Sequence, residues 1–172
     1  MAQSLVRNAT SADALAIAQI HVKTWQCTYR GQVPDSFLDS MSVQQRKEDW
    51  QKALDNPAKD IYALVAEVDS KIVGWCTGGV NRDEDVDKDT GELHGIYIDP
   101  EYIAKGVGTA LMEYLLQLLR KDGYKKATLW VLDTNQQTRE FYEKKGWRVE
   151  GRTKVEPRDG FSLNEVRYII EL

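Results

Sequence analysis

The sequence predicts one α+β domain spanning residues 1–172, a mixed sheet covered by helices. Two observations carry that expectation. Apolar segments with strand length and spacing alternate with stretches of helical period, in the order strand, helices, three strands, helix, strand, helix, two strands. No repeat and no linker interrupts this order, and 172 residues suit a single core.

Leu5-Val6-Arg7 opens as a short strand. Thr10 and Ser11 can cap a helix carrying Leu15, Ile17, Ile20, Val22 and Trp25, which runs out near Tyr29-Arg30-Gly31. A second helix begins at Pro34. A third begins at Ser42, where Ser42 and Gln45 have capping-box spacing, and Asn56-Pro57 ends it. Strands over 61–68 and 72–80 flank Asp69-Ser70 as a tight hairpin. A polar, acidic connection leads to a strand over 92–98. The helix from about Gly106 to Asp122 places Val107, Leu111, Tyr114, Leu115 and Leu118 on one stripe, with Gly123 as its cap. A strand over 126–132 follows. Thr134-Asn135 then caps a helix ending at Gly146, and strands over 147–153 and 165–172 close the chain.

Composition narrows the function. A net charge of −4 with no basic stripe argues against nucleic-acid binding. No apolar run approaches membrane-spanning length and the N-terminus does not resemble a signal peptide, so a cytoplasmic protein without membrane contact is expected. Cys27 and Cys76 give no disulfide framework, and the two histidines stand apart, so no metal site is expected. The run from Asp83 to Asp89 has the look of a calcium loop but carries Lys88 at position six and His94 at position twelve, where glycine and glutamate belong. It reads as a solvated loop whose charge could attract a cationic amine.

The most informative stretch is 92–112. An apolar strand ends at Asp99-Pro100, a short polar loop follows, and Gly106 and Gly108 open directly into an amphipathic helix. Glycines at a helix start let backbone N–H groups converge at the positive end of the helix dipole, a setting for phosphate. A dinucleotide fingerprint fails because Leu111 occupies its third glycine and seven residues separate Ile98 from Gly106; no Gly-Lys-Ser/Thr exists for a Walker loop. The chain resembles instead the GNAT superfamily of N-acetyltransferases. The run Gly106-Val107-Gly108-Thr109-Ala110-Leu111 is similar to the end of that family's acetyl-CoA signature. Asn135 followed by Phe141-Tyr142-Glu143-Lys144-Lys145-Gly146-Trp147 is similar to its second hallmark. Thr24 to Gly31 resembles a bacterial branch acting on small substrates. The signature's Arg or Gln is replaced by Ile103, and Ala104 stands where glycine is frequent.

The resemblance implies a three-layer fold with a mostly antiparallel sheet of about six or seven strands. It also implies acetyl-CoA as co-substrate without a metal, held by Ile96, Tyr97, Ile98, Ala104, Lys105, Gly106, Val107, Gly108, Thr109 and Asn135. Direct transfer to an amine of a small molecule or peptide is the expected reaction; the alternative is an acyl-CoA-binding sensor without turnover, and a homodimer is open. Amide formation needs the ammonium deprotonated and the thiolate protonated. Glu92 opens the strand leading to the cradle and is the expected base. Strict alternation would place Glu92, His94, Ile96 and Ile98 on one face, which makes His94 the substitute base. Tyr142 matches the family's general acid. Trp25 and Tyr29, four apart on one helix face, could wall an acceptor site together with His94.

Overall fold

The computed structural model describes residues 4–172, so the first three residues of the expected domain, where a leader would begin, lie outside it. Its strands are β1 (Leu5–Asn8), β2 (Ile61–Val68), β3 (Lys71–Val80), β4 (Thr90–Ile98), β5 (Lys126–Leu132), β6 (Arg148–Arg158) and β7 (Phe161–Glu171). Its helices are α1 (Ala14–Thr28), α2 (Asp35–Ser40), α3 (Val43–Asp55), α4 (Val107–Lys121) and α5 (Gln136–Lys144). All seven strands form one sheet in the order β1-β2-β3-β4-β5-β7-β6. Only β4 and β5 run parallel, so the sheet is mixed and mostly antiparallel, as expected.

Alternating residues of β2 serve opposite faces. Leu64 and Ala66 join Cys76, Leu93 and Leu129 beneath α4 and α5, while Val65 joins Trp75 beneath α1 and α3. The β2–β3 turn forms because Asp69 and Ser70 both accept positive φ, 48° and 63°, the twist a two-residue hairpin requires. The buried stripe of α4 is Val107, Leu111, Met112, Leu115, Leu116 and Leu119. Tyr114, expected on that stripe, is exposed, as is Leu15 of α1. β6 and β7 run further than predicted, through 157 to a turn at Asp159-Gly160. The extension was hidden because β6 is a largely exposed edge, held by its ladder with β7, and Lys154, Glu156 and Arg158 give no apolar signal.

Two features of this frame create the site. Ladder pairing runs from Gly78↔Leu93 to Thr77↔Gly95, leaving His94 as the extra residue of a β-bulge. The expected common face is therefore corrected: Ile96 and Ile98 pack toward the α4 core, while Tyr97 packs with Val65 and Trp75 on the other side. Gly78 backs the bulge. A Cβ there would lie 2.5 Å from a Leu115 methyl and 2.6 Å from the Glu92 carbonyl oxygen, so only glycine lets α4 sit this low over β4.

The second feature is a clasp on the connection between β3 and β4. The side chain of Arg167 on β7 is 2% exposed. Its guanidinium donates to Asp83 Oδ2 at 3.0 Å, to both oxygens of Asp85 at 2.7 and 2.9 Å, and to Glu150 at 2.5 and 3.0 Å. Trp130 lies beneath it, with its ring centroid 5.5 Å away, and donates its N–H to Asp83 at 2.9 Å. Asp83 and Asp85 of the acidic connection are thus paired, while Glu84, Asp87 and Asp89 stay exposed outside the clasp. Removing one partner of a buried ion pair strands the other charges. Arg167→Met is expected to destabilise the fold by about 3 kcal/mol. Urea unfolding checks this, and a loss below about 0.5 kcal/mol would show the clasp to be ornamental.

Candidate active site

β4 and β5 pair over three positions, Thr90↔Lys126 to Glu92↔Thr128, and then part. The Asp99 N–H reaches the Val73 carbonyl at 2.9 Å, so alternation turns the backbone of Tyr97 and Gly95 toward β3. The backbone groups of Ile96 and Ile98 therefore face the opened seam. Consistent with this, the Ile98 carbonyl accepts from Thr24 Oγ1 of α1 at 3.3 Å rather than from a strand. A cavity of about 260 Å³ occupies the seam, walled by Trp25 and Tyr29 of α1, His94 and Ile96 of β4, and Asn135 and Tyr142.

At one end of the seam Asp99 anchors the chain by accepting from the Glu101 N–H at 3.1 Å and from Lys23 at 2.8 Å. The loop that follows turns through two left-handed residues, Ala104 at φ 61° and Gly106 at φ 86°. A non-glycine residue pays about 1–2 kcal/mol for that conformation, which gives glycine at 104 a physical advantage this chain forgoes. Gly106 is the N-cap of α4 and supplies no side-chain cap. The N–H groups of Val107, Gly108 and Thr109 thus lack intrahelical acceptors and lie at the positive end of the helix, a setting that suits an anion. Val107 contributes through backbone alone, since its side chain lies in the core. Lys105 reaches over the Tyr102 ring at 4.9 Å. Ile103 is 45% exposed, so the missing Arg or Gln leaves no hole in the packing. Asn135 caps α5 by accepting from the Thr138 N–H at 3.3 Å while its side chain also lines the cavity.

Glu92 is 1% exposed. Its Oε2 accepts from the Arg82 backbone N–H at 2.9 Å and from Nε at 3.0 Å, and its Oε1 accepts from Nη2 at 2.5 Å. Both oxygens are therefore engaged, and it is His94 and Arg82 beside it that reach the cavity. His94 Nε2 lies 2.9 Å from the Val80 carbonyl and 3.6 Å from Glu92 Oε2. Because a carbonyl only accepts, the ring proton sits on Nε2, which leaves Nδ1 as the lone-pair nitrogen. Burial pushes His94 below its ordinary 6.5, against the Val80 carbonyl and the Glu92 charge that pull upward, so the ring is neutral at physiological pH.

Tyr142 belongs to the core cluster, with Trp147 and Tyr168 at ring distances of 6.0 and 6.3 Å, and Phe141 packs against the same cluster. Burial pushes the Tyr142 phenol above its ordinary value and keeps it protonated. Cys76 is buried and pushed up for the same reason, so it offers no thiolate. Trp25 and Tyr29 stack edge to face at 4.6 Å, backed by His21, which burial pushes down to about 4. Arg82, Lys154, Arg158, Glu156 and Glu165 also line the cavity and were missed in the sequence. For Arg82 a signal existed: it follows β3 directly, near the point where the ladder brings β3 back alongside Glu92.

Among the described residues no three His, Cys, Asp or Glu side chains are grouped to hold a metal, and no helix is long and apolar enough to cross a membrane. The fold matches PaiA N-acetyltransferase from Thermoplasma acidophilum in complex with coenzyme A, at TM-score 0.74 and 22% identity over 99% of each chain. It also matches yncA from Salmonella typhimurium with acetyl-CoA, at TM-score 0.70 and 19% identity over 98% of this chain and 94% of that one. In sequence, the N-acetyltransferase YuaI of Bacillus subtilis is 29% identical over 130 residues, covering 76% of this chain and 72% of its own. A spermidine N(1)-acetyltransferase of T. acidophilum is 25% identical over 150 residues, 84% and 88% of the two chains. The description of the Acetyltransferase (GNAT) family fits residues 17–147, a span that runs from α1 through the seam and cradle to Trp147, and the chain belongs to that family.

Proposed function

We propose that the protein moves an acetyl group from acetyl-CoA to a primary amine, of a small molecule or a peptide, by direct attack in a ternary complex. The observation that carries this is the seam between β4 and β5, whose pairing ends at Glu92 and Thr128 and whose cavity is walled by Trp25, Tyr29, His94 and Ile96. Backbone groups of Ile96 and Ile98 along the seam suit the thioester carbonyl and the pantetheine amides, and the amides at 107–109 suit the pyrophosphate. Relatives named as N-acetyltransferases, one of them for spermidine, support the amine as acceptor. The free cysteines fit a reducing, cytoplasmic setting.

In this mechanism the neutral amine attacks the thioester carbon, the C–S bond breaks, and the amine's proton passes to His94 Nδ1. Glu92, the base expected from sequence, is placed behind His94, where its charge favours the imidazolium. The leaving thiolate takes the Tyr142 hydroxyl proton. Neither cysteine is offered as an acetyl carrier, because Cys76 is buried and Cys27 does not line the cavity.

The cradle is tested by Gly108→Val. A Cβ at 108 meets only ordinary contacts, Phe141 at 3.4 Å and Ile98 at 3.6 Å, so the fold is expected to survive. Acetyl-CoA affinity by calorimetry should fall at least tenfold, about 1.4 kcal/mol. Unchanged affinity would move the cofactor elsewhere.

Proton transfer is tested by pH profiles. His94 accepts a proton only while neutral, so activity is lost as pH falls through its depressed pKa, and the enzyme's acid limb in kcat/KM should lie below pH 6.5. His94→Gln should lower kcat by about 10²–10⁴-fold. Glu92→Gln removes a negative charge that favours the imidazolium and should shift the limb further toward acid, with a kcat loss of only about tenfold. An inactive Glu92→Gln beside a near-parental His94→Gln would return the base to Glu92.

A further inference from the structure

The base and a cation share one atom. Arg82 Nε lies 3.0 Å, and His94 Nε2 3.6 Å, from the same oxygen, Glu92 Oε2, and both residues line the cavity. Glu92 takes Nε and Nη2 of Arg82, while Nη1 makes no hydrogen bond among the described residues. The Arg82 side chain is about half exposed, so this remaining edge of the fork is accessible. The other carboxylates nearby are already held. Asp83 accepts from Arg167 and Trp130, Glu156 pairs with Arg158 at 2.6 Å, and Glu165 pairs with Lys154 at 3.3 Å. On the cavity wall Arg82, Lys154 and Arg158 each have a carboxylate partner, in Glu92, Glu165 and Glu156, so what the wall offers is the open donor edge of Arg82 rather than an excess of charge.

An acceptor that places its amine at His94 therefore has the open edge of Arg82 on the same cavity wall. We infer that the acceptor is a free α-amino acid, whose carboxylate docks on Arg82 while its amine faces His94. In an α-amino acid the carboxyl carbon is two bonds from the nitrogen, so one small molecule can address two neighbouring side chains, His94 through Nδ1 and Arg82 through Nη1, the nitrogens that Val80 and Glu92 leave free. A peptide N-terminus offers a neutral amide at that position, and an alkylamine or polyamine offers nothing anionic. The side chain would lie against Trp25 and Tyr29. A carboxylate on a guanidinium edge makes charge-assisted bonds, about twice as strong as neutral ones, so the discrimination should be large. The inference rests on the acetyl-transfer reading above and assigns Arg82 as its specificity determinant.

The test is thiol release from acetyl-CoA with the full chain. The acceptors are the common L-amino acids, their carboxamides, butylamine and spermidine, with the parent, Arg82→Lys and Arg82→Gln. The expected result is kcat/KM at least about tenfold higher for the best free acid than for its amide. In Arg82→Gln that ratio should collapse toward unity through KM for the acid, and Arg82→Lys, which keeps a charge beside Glu92, should retain part of it. A purely structural effect of Arg82 would lower acid and amide equally and leave the ratio intact, which overturns the inference. So does an amide, butylamine or spermidine that equals or exceeds every free acid, although acetyl transfer then stands. Binding of acetyl-CoA with no turnover of any amine would overturn both.

Discussion

Parallel pairing between β4 and β5 stops at Glu92 and Thr128, and a sheet that stops pairing near its centre must give the freed backbone groups other partners. Part of that demand is met locally, as when Thr24 of α1 donates to the Ile98 carbonyl. The rest faces the cavity in the seam. The divergence is enforced from both sides. On one side α4 descends over Gly78 and packs Leu115 against the core beneath β4; on the other, β5 is carried away by full-length pairing with β7 over Lys126 to Leu132. The bulge at His94 shifts the strand by one residue within the same span. His94 lines the cavity, while Ile96 and Ile98 pack over the core.

Charge is arranged in nested pairs around that seam. Arg167, buried on β7, draws Asp83 and Asp85 down, and this fixes the residue just before them, Arg82. Arg82 in turn caps Glu92, and Glu92 stands beside His94. The last pairing matters most, because Glu92 is 1% exposed and would otherwise be a buried unpaired charge at a cost of several kcal/mol. The outcome is a histidine kept neutral by burial, next to a carboxylate that can stabilise its charged form, and a guanidinium with one edge spent and one edge open. Structural need and chemical use coincide in the same side chains.

Much of this was legible in the sequence, and what was not had identifiable causes. The helix start at Gly106 and the Asn135 cap follow from local backbone demands, and so does the hairpin at Asp69-Ser70, so each could be read residue by residue. The bulge could not, because a single inserted residue leaves the composition of a strand untouched while reversing its faces beyond that point. The clasp joins Arg167 to Asp83 across 84 residues, and no local pattern announces such a pair. The outer halves of β6 and β7 were missed because an exposed edge strand needs no apolar alternation. Glu92 was singled out by position alone; what occupies its oxygens is a tertiary fact.

In the proposed complex the pantetheine arm of acetyl-CoA lies in the seam with its pyrophosphate at the start of α4. Amide hydrogen exchange with and without acetyl-CoA tests this most directly, because it reads the backbone groups that the claim invokes. The account predicts added protection at Ile96, Ile98 and residues 107–109, with little change at the β2–β3 turn or along the β6 edge. Protection confined to another part of the surface, such as the opening between Tyr62 and Asp122, with none at Ile96 or Ile98, would contradict it.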